Sequence, residues 1–160
     1  MLTTEQLAVL KAAILADPVL SAYPAGAASS YPIAFALNAI AEPAFVVWRT
    51  DVSVDEIMRN GMDWARVDNL TVGKARIWDW MTRLGTFNAA KANIRAGIDA
   101  AWVGTAADLA VRATVYTHCK RSATVAEKLF ATGTGTDAAP AKMTFEGALS
   151  PDDVQQARES

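Results

Sequence analysis

The first candidates for catalysis or metal binding are the single histidine and the single cysteine of the chain, which are adjacent residues, His118 and Cys119. Adjacent residues on a helix point about 100° apart, so the pair suits neither a thiolate–imidazole dyad nor one shared metal ion. A zinc site needs further histidine or cysteine ligands, and the sequence contains none. We expect both side chains to be structural or incidental, and we predict no metal and no cofactor.

Acidic residues cluster twice, at Asp51, Asp55 and Glu56 and again at Asp152 and Asp153. Both clusters fall at predicted helix starts, where carboxylates stabilise the positive end of the helix dipole. A carboxylate pair for glycoside hydrolysis stays open, because its two members can be distant in sequence, although nothing recommends one.

Two glycines, Gly133 and Gly135, raise the question of a phosphate-binding loop. Such a loop requires a Gly-Lys-Ser/Thr sequence that opens a helix, and neither feature follows these glycines. The stretch 132–141, TGTGTDAAPA, instead has the composition of a mobile loop. With no catalytic constellation visible, we predict that the chain is not an enzyme.

The elements that must position these residues are mostly helices. Four consecutive helical segments are predicted in 71–131, and breaks of two to five residues between them favour antiparallel packing. Thr105 with Asp108 and Thr124 with Glu127 have the spacing of capping boxes. The apolar faces predicted for the first and third segments are Ile77, Trp80, Met81 and Leu84, and Leu109, Arg112, Ala113 and Tyr116. Further helix starts are predicted at Thr3, Ser30, Ser53 (with Glu56) and Ser150.

A small β element completes the predicted architecture. The residues near 45–49 are β-branched and aromatic, and 142–147 alternates in polarity, so we expect two extended segments that pair within one chain or between neighbours. The fold class is therefore mainly α, a compact bundle of short antiparallel helices with this β element. We predict a helical domain over 1–131, followed over 132–160 by a loop, a strand and a short C-terminal helix.

Trp78 and Trp80 lie two apart on a predicted helix, so their side chains point about 200° apart. Either this helix is sandwiched between two layers of its own chain, or one indole contacts another subunit, since aromatic residues are enriched in interface cores. We assign Trp78 to an interface. The other interface residues that we predict are Val46, Trp48, Met143 and Phe145.

Composition indicates one domain with one appendage, with 52% apolar residues in a chain of 160. No apolar run approaches the roughly 18 residues that cross a bilayer. The N-terminus lacks the basic region of a signal peptide, and a lone cysteine suits a reducing cytoplasm. We therefore expect no membrane association and no export.

Charge is segregated along the chain. Residues 1–58 carry two Lys/Arg against six Asp/Glu, residues 59–121 carry ten against five, and residues 122–160 carry three against six. This acid–base–acid layout is compatible with intramolecular clamping or with complementary faces that meet between subunits. Within the basic stretch, Arg66, Lys74, Arg76 and Arg83 form either a solvated face or a surface for an acidic neighbour.

Several stretches carry a resemblance that covers most of residues 45–158. They are Val47-Trp48-Arg49-Thr50, Val67-Asp68-Asn69-Leu70-Thr71, the octapeptide Lys91 to Ile98, Thr124 with Glu127 before an Ala-Thr-Gly run, and Phe145-Glu146-Gly147 leading to Ser150-Pro151-Asp152-Asp153. In these stretches the chain resembles tailed-bacteriophage proteins from structural gene clusters. The resemblance implies a virion component, most plausibly a head–tail connector or adaptor in the neck between portal and tail.

Such proteins work as rings of identical subunits, commonly twelve, and they are not enzymes. The resemblance therefore implies a homo-oligomer in the virion, assembled in the host cytoplasm, with portal and tail proteins as partners. DNA would pass through the ring without sequence-specific binding, and no functional residue carries over. The segment from Thr132 onward is expected to dock on a neighbouring protein. The alternatives are a tail terminator, a capsid-associated protein, a DNA-binding packaging factor or a small helical enzyme.

Overall fold

The computed structural model describes residues 2–160, and its contacts divide them into two units. The first unit consists of 2–47 and 122–160 and carries four Lys/Arg against nine Asp/Glu, a net charge of −5; we call it the acidic unit. The second, 48–121, carries eleven against eight, a net charge of +3, and we call it the basic unit. This division differs from the predicted boundary after residue 131, because the C-terminal residues share a unit with the N-terminal helices.

The described residues form nine α-helices, one 3-10 turn at Ala27–Ser29 and six short strands, which confirms the mainly α class with a small β element. The helices are α1 Thr4–Ala16, α2 Ser30–Leu37, α3 Val54–Arg59, α4 Trp64–Asp68, α5 Val72–Thr82, α6 Ala92–Ala101, α7 Ala106–His118, α8 Val125–Leu129 and α9 Pro151–Glu159. The strands are β1 Val46–Trp48, β2 Val52–Ser53, β3 Thr86–Phe87, β4 Lys120–Ser122, β5 Ala131–Thr132 and β6 Lys142–Met143. None of the helices within 2–160 has the length and apolarity to cross a membrane.

Helix starts follow the local signals at most positions. Capping boxes with both hydrogen bonds are present at Thr3, Thr105 and Thr124, as predicted, and also at Ser150, where the prediction was a helix start. The predicted cap of α2 is wrong by one residue, since the N-cap is Ser29 instead of Ser30. Ser53 is the N-cap of α3, as predicted, but its side chain makes no capping bond, and neither does that of Ser29.

The core of the acidic unit is built around α9, which packs against both α1 and α2. Leu10, Ile33 and Val154, one from each helix, are completely buried there. Asn38 fixes the approach to α9, because its amide donates to the carbonyl of Leu149 at 2.9 Å and accepts from the N–H of Leu149 at 2.8 Å. The C-terminal segment thus contributes to the core of its own unit, and its docking on a neighbouring protein stays a prediction.

The stretch 132–141 packs against β1 instead of forming the predicted mobile loop. The N–H of Val46 donates to the carbonyl of Gly135 at 2.7 Å, and the N–H of Ala141 donates to the carbonyl of Val46 at 2.9 Å. β1 itself pairs with β4, while β6 pairs antiparallel with β5, with Ala131 opposite Met143. The predicted pairing of the two extended segments is therefore wrong, because other backbone groups already occupy Val46.

The core of the basic unit surrounds two indoles, Trp78 on α5 and Trp102 just after α6. Their rings meet edge to face, with centroids 5.2 Å apart, and Trp78 is only 3% exposed. Since residues two apart on a helix point about 200° apart, burying Trp78 leaves Trp80 62% exposed. The predicted apolar faces are therefore wrong in part: Trp80, Leu84 and Leu109 are exposed, and α7 buries Asp108, Val111 and Val115 instead.

We predict that Gly135→Ala destabilises the protein by about 2–5 kcal/mol, measured as the free energy of unfolding in urea. Gly135 has a φ of +66°, and a Cβ there would lie 2.1 Å from the ring of Phe45, so strain adds to a steric clash. Gly85→Ala is the matched control, because its φ is +71° and no atom lies within 4 Å of the added Cβ. It should cost only the strain, about 1–2 kcal/mol. Equal losses in both variants would contradict the packed position of 132–141.

Candidate functional site

The densest polar cluster of the basic unit joins Arg49, Glu56 and His118. Arg49 Nη1 donates to both carboxylate oxygens of Glu56, at 2.8 and 2.9 Å, and to the carbonyl oxygen of His118 at 3.1 Å. The imidazole of His118 lies between two acceptors, with Nδ1 3.2 Å from Glu56 Oε1 and Nε2 3.0 Å from the carbonyl oxygen of Asn60. A protonated imidazole donates to both of them, whereas a neutral one donates to a single acceptor.

This cluster is saturated by its own members. The hydrogen bond from Arg49 lowers the pKa of Glu56, and the same bond raises the pKa of Arg49. A carboxylate held ionised by a guanidinium is a weak general base. Sequence reasoning assigned Glu56 to the helix dipole and missed both of its partners, because neither Arg49, seven residues away, nor His118, 62 residues away, lies within one helical turn of Glu56.

Cys119 follows His118 but does not act with it. Its side chain is fully buried, and burial raises the pKa of the thiol to about 12, so the reactive thiolate is not formed near neutral pH. Within 2–160, no group of three side chains is arranged to hold a metal ion. The cysteine therefore packs as a small apolar residue.

A second ionic cluster centres on Asp108, whose side chain is almost fully buried at the start of α7. Arg66 Nη2 donates to it at 2.6 Å, the N–H of Thr105 donates at 3.2 Å, and Lys74 Nζ lies 3.9 Å away. The bond from Arg66, followed by the bonds from Thr105, lowers the pKa of Asp108 to about 2. Two of the four cations that sequence reasoning assigned to a surface are thus bound inside the unit.

The five predicted interface residues all make contacts within their own units. Trp48 packs on the ring of Tyr116 with centroids 5.6 Å apart, and Phe145 meets Phe130 at 5.4 Å. Trp78 lies in the core, and Met143 packs against the buried cluster that contains Val47, Ala123 and Ala141. Val46 has its backbone bonded to Gly135 and Ala141. Trp78 is therefore not exposed to a partner, whereas Val46, Trp48, Met143 and Phe145 are only partly buried, and their role in an interface stays a prediction.

Other apolar side chains are exposed on two helix faces. On α5, Val72 and Trp80 share a face with the exposed Arg76, and Leu84 extends it just past the helix end; we call these four residues the α5 patch. On α2, Tyr31 and Phe35 are 69% and 74% exposed at helical spacing, and we call them the α2 patch. Singly exposed apolar residues are ordinary, but aromatic groups on one helix face are typical of interaction surfaces.

The two patches belong to units of opposite charge. The α5 patch lies in the basic unit at +3, and the α2 patch lies in the acidic unit at −5.

Comparison with known protein families, curated proteins and solved structures finds no match to this chain. Function is therefore inferred from the chemistry of the two patches and of the charged residues around them.

The depressed pKa of Asp108 predicts a loss of stability in acid. Its folded-state pKa of about 2 lies below its ordinary value of 3.8, so the unfolded chain binds the proton more readily. The contribution of Asp108 to stability is then complete above about pH 4 and is lost as the pH falls towards 2. Urea unfolding from pH 7 to pH 2 should show the advantage of wild type over Asp108→Asn shrinking across this interval.

Asp79→Asn is the control, since Asp79 is half-exposed and pairs with Arg83 one helical turn away. Its difference from wild type should stay small at every pH, because exposed ion pairs contribute little. A wild-type advantage over Asp108→Asn that does not change between pH 4 and pH 2 would contradict the ionised Asp108–Arg66 contact.

Proposed function

We propose that this chain is a non-enzymatic structural protein of a tailed-bacteriophage virion, a head–tail connector that links portal to tail as a ring of identical subunits. The observation that carries the proposal is the presence of two exposed aromatic patches on units of opposite charge. A ring of identical subunits requires two different surfaces that match each other. The α5 patch and the α2 patch supply such a pair.

Opposite charge and buried aromatic area would both favour contact between the α5 patch of one subunit and the α2 patch of the next. Arg76 lies within the α5 patch, while the unit that carries Tyr31 and Phe35 has an excess of five carboxylates. Complementary potentials steer partners together and fix which surfaces meet. A fully buried aromatic side chain removes about 150–250 Å² from water, so three rings contribute at most roughly 450–750 Å². Stable interfaces bury about 1,600 Å², so the rings would form the centre of a larger contact.

The polar clusters support a role without catalysis. Glu56 and Asp108 are each bound by an arginine of the same unit, and the Cys119 thiol is buried. Several cations of the basic unit are used in these internal pairs, which leaves a modest surplus for phosphate contacts. This small surplus fits a connector through which DNA passes better than it fits a protein that binds a specific DNA sequence.

Disruption of the gene in a phage that carries it should give DNA-filled heads and separate, complete tails, seen by electron microscopy of lysates. A connector joins two finished assemblies, so its loss leaves both of them intact and unjoined. Complementation with the wild-type chain restores tailed particles. Normal tailed particles without the protein would contradict the proposal. Tails of irregular length would indicate a tail terminator instead, and empty heads would indicate a packaging factor.

Trp80→Glu should abolish incorporation into particles while leaving the thermal unfolding midpoint close to that of wild type. The side chain is 62% exposed, and surface substitutions of this kind change stability by about 0.5 kcal/mol or less. Trp64→Glu is the matched control, because Trp64 is 60% exposed in the same unit but lies on α4, outside the α5 patch. Incorporation of Trp80→Glu at the wild-type level would exclude the α5 patch from the contact.

A further inference from the structure

The acidic unit contains a cleft of about 310 Å³ between α1, the start of α2 and α9. This volume lies at the lower end of the range for small-molecule sites. Its lining combines apolar side chains with polar and charged ones. The apolar residues are Ile14, Leu15, Leu20 and Ala25, and the polar and charged residues include Lys11, Ser21, Ser30, Gln155, Arg158 and Glu159.

Two cations in this cleft stand out in a unit whose net charge is −5. Arg158 Nη2 donates to the carbonyl oxygens of Tyr23 and Pro24, at 3.0 and 2.8 Å, which holds the guanidinium in place. Lys11 Nζ donates to the carbonyl oxygen of Ser160, and an ammonium group has three protons to donate. The cleft therefore offers fixed positive charge beside an apolar surface.

The helix start at the cleft is uncapped. The 3-10 turn that begins after Gly26 runs directly into α2, and neither Gly26 nor Ser29 supplies a side-chain cap. The positive end of a helix dipole with no side-chain cap favours an anion. Gly26 also lines the cleft, and a Cβ built on it would meet no atom within 4 Å, so there is open space at this point.

A buried hydroxyl provides independent evidence for a ligand. Ser30 lines the cleft and is 1% exposed, yet its Oγ finds no hydrogen-bond partner among residues 2–160. An unpaired buried polar group is costly, so such groups usually have a partner. An acceptor bound in the cleft would give the hydroxyl its partner.

We propose that this cleft binds a small monocarboxylate with a short apolar chain. Its carboxylate would lie at the start of α2, with Ser30, Lys11 and Arg158 around it, and its chain would lie on Leu15 and Leu20. Glu159 also lines the cleft, and its charge disfavours a doubly charged phosphate. This inference does not depend on the proposed role in the virion.

Titration of the full-length protein with hexanoate, followed by NMR and calorimetry, tests the proposal. Hexanamide is the uncharged match, and hexyl phosphate is the doubly charged one. Hexanoate should bind saturably and at least about tenfold more tightly than either. N-acetyl-leucine and its amide then show whether the end of a peptide is accepted, because only the free acid should bind.

Two variants connect the binding to the residues named. Ser30→Ala should weaken hexanoate binding by about tenfold without lowering the thermal midpoint, since the hydroxyl makes no bond in the unliganded protein. Lys11→Gln should weaken it by a similar factor, and Lys142→Gln, an exposed cation of the same unit outside the cleft, should not change it. Equal binding of hexanoate and hexanamide, or wild-type affinity in both cleft variants, would overturn the proposal.

Discussion

The fold depends on one long-range constraint: the core of the acidic unit is completed only when the chain returns to it with its C-terminal helix. Residues 2–47 supply α1 and α2, but the third helix of that core, α9, arrives only after the whole basic unit has intervened. Closing a loop of about 70 residues has an entropic cost that rises only slowly with length, so a large insertion is tolerated. Backbone hydrogen bonds at the two ends of the inserted segment offset this entropic cost. The N–H of Ala123 donates to the carbonyl of Phe45 at 2.8 Å within the acidic unit, and the N–H of Arg49 donates to the carbonyl of Cys119 at 2.9 Å within the basic unit.

This constraint explains which features were readable from the sequence. Capping boxes such as those at Thr105 and Thr124 were predicted correctly, because both partners lie within three residues of each other. The pairing of Arg66 with Asp108 spans 42 residues, and local patterns carry no signal for it. The pairing of β1 with β4 was missed, because Lys120–Ser122 lacks the alternation of a strand, while the predicted partner near 142–147 approaches β1 only at Ala141.

Hydrophobic periodicity predicted the wrong buried face for part of α5. Helix α5 has apolar residues on two sides, so either side could be buried. The apolar pattern alone does not determine whether Trp78 or Trp80 lies in the core. The choice depends on the contact with α6 and Trp102, which forms only in the folded unit. The same ambiguity affected the candidate interface. Trp48 and Phe145 have the residue types of interface centres, but aromatic partners in their own units already cover them.

The polar groups separate into two classes with different consequences. Within the basic unit Glu56 is bound by Arg49 and Asp108 is bound by Arg66, and a carboxylate held by its guanidinium has little freedom to react. Ser30 belongs to the other class, because its hydroxyl is buried without a partner in a cleft that Lys11 and Arg158 also line. A fold maintains an unpaired hydroxyl at a cost in stability. The carboxylate proposed for the cleft would give this hydroxyl its partner. Small-ligand binding is thus proposed for the cleft of the acidic unit, and subunit contact is proposed for the exposed faces of α2 and α5.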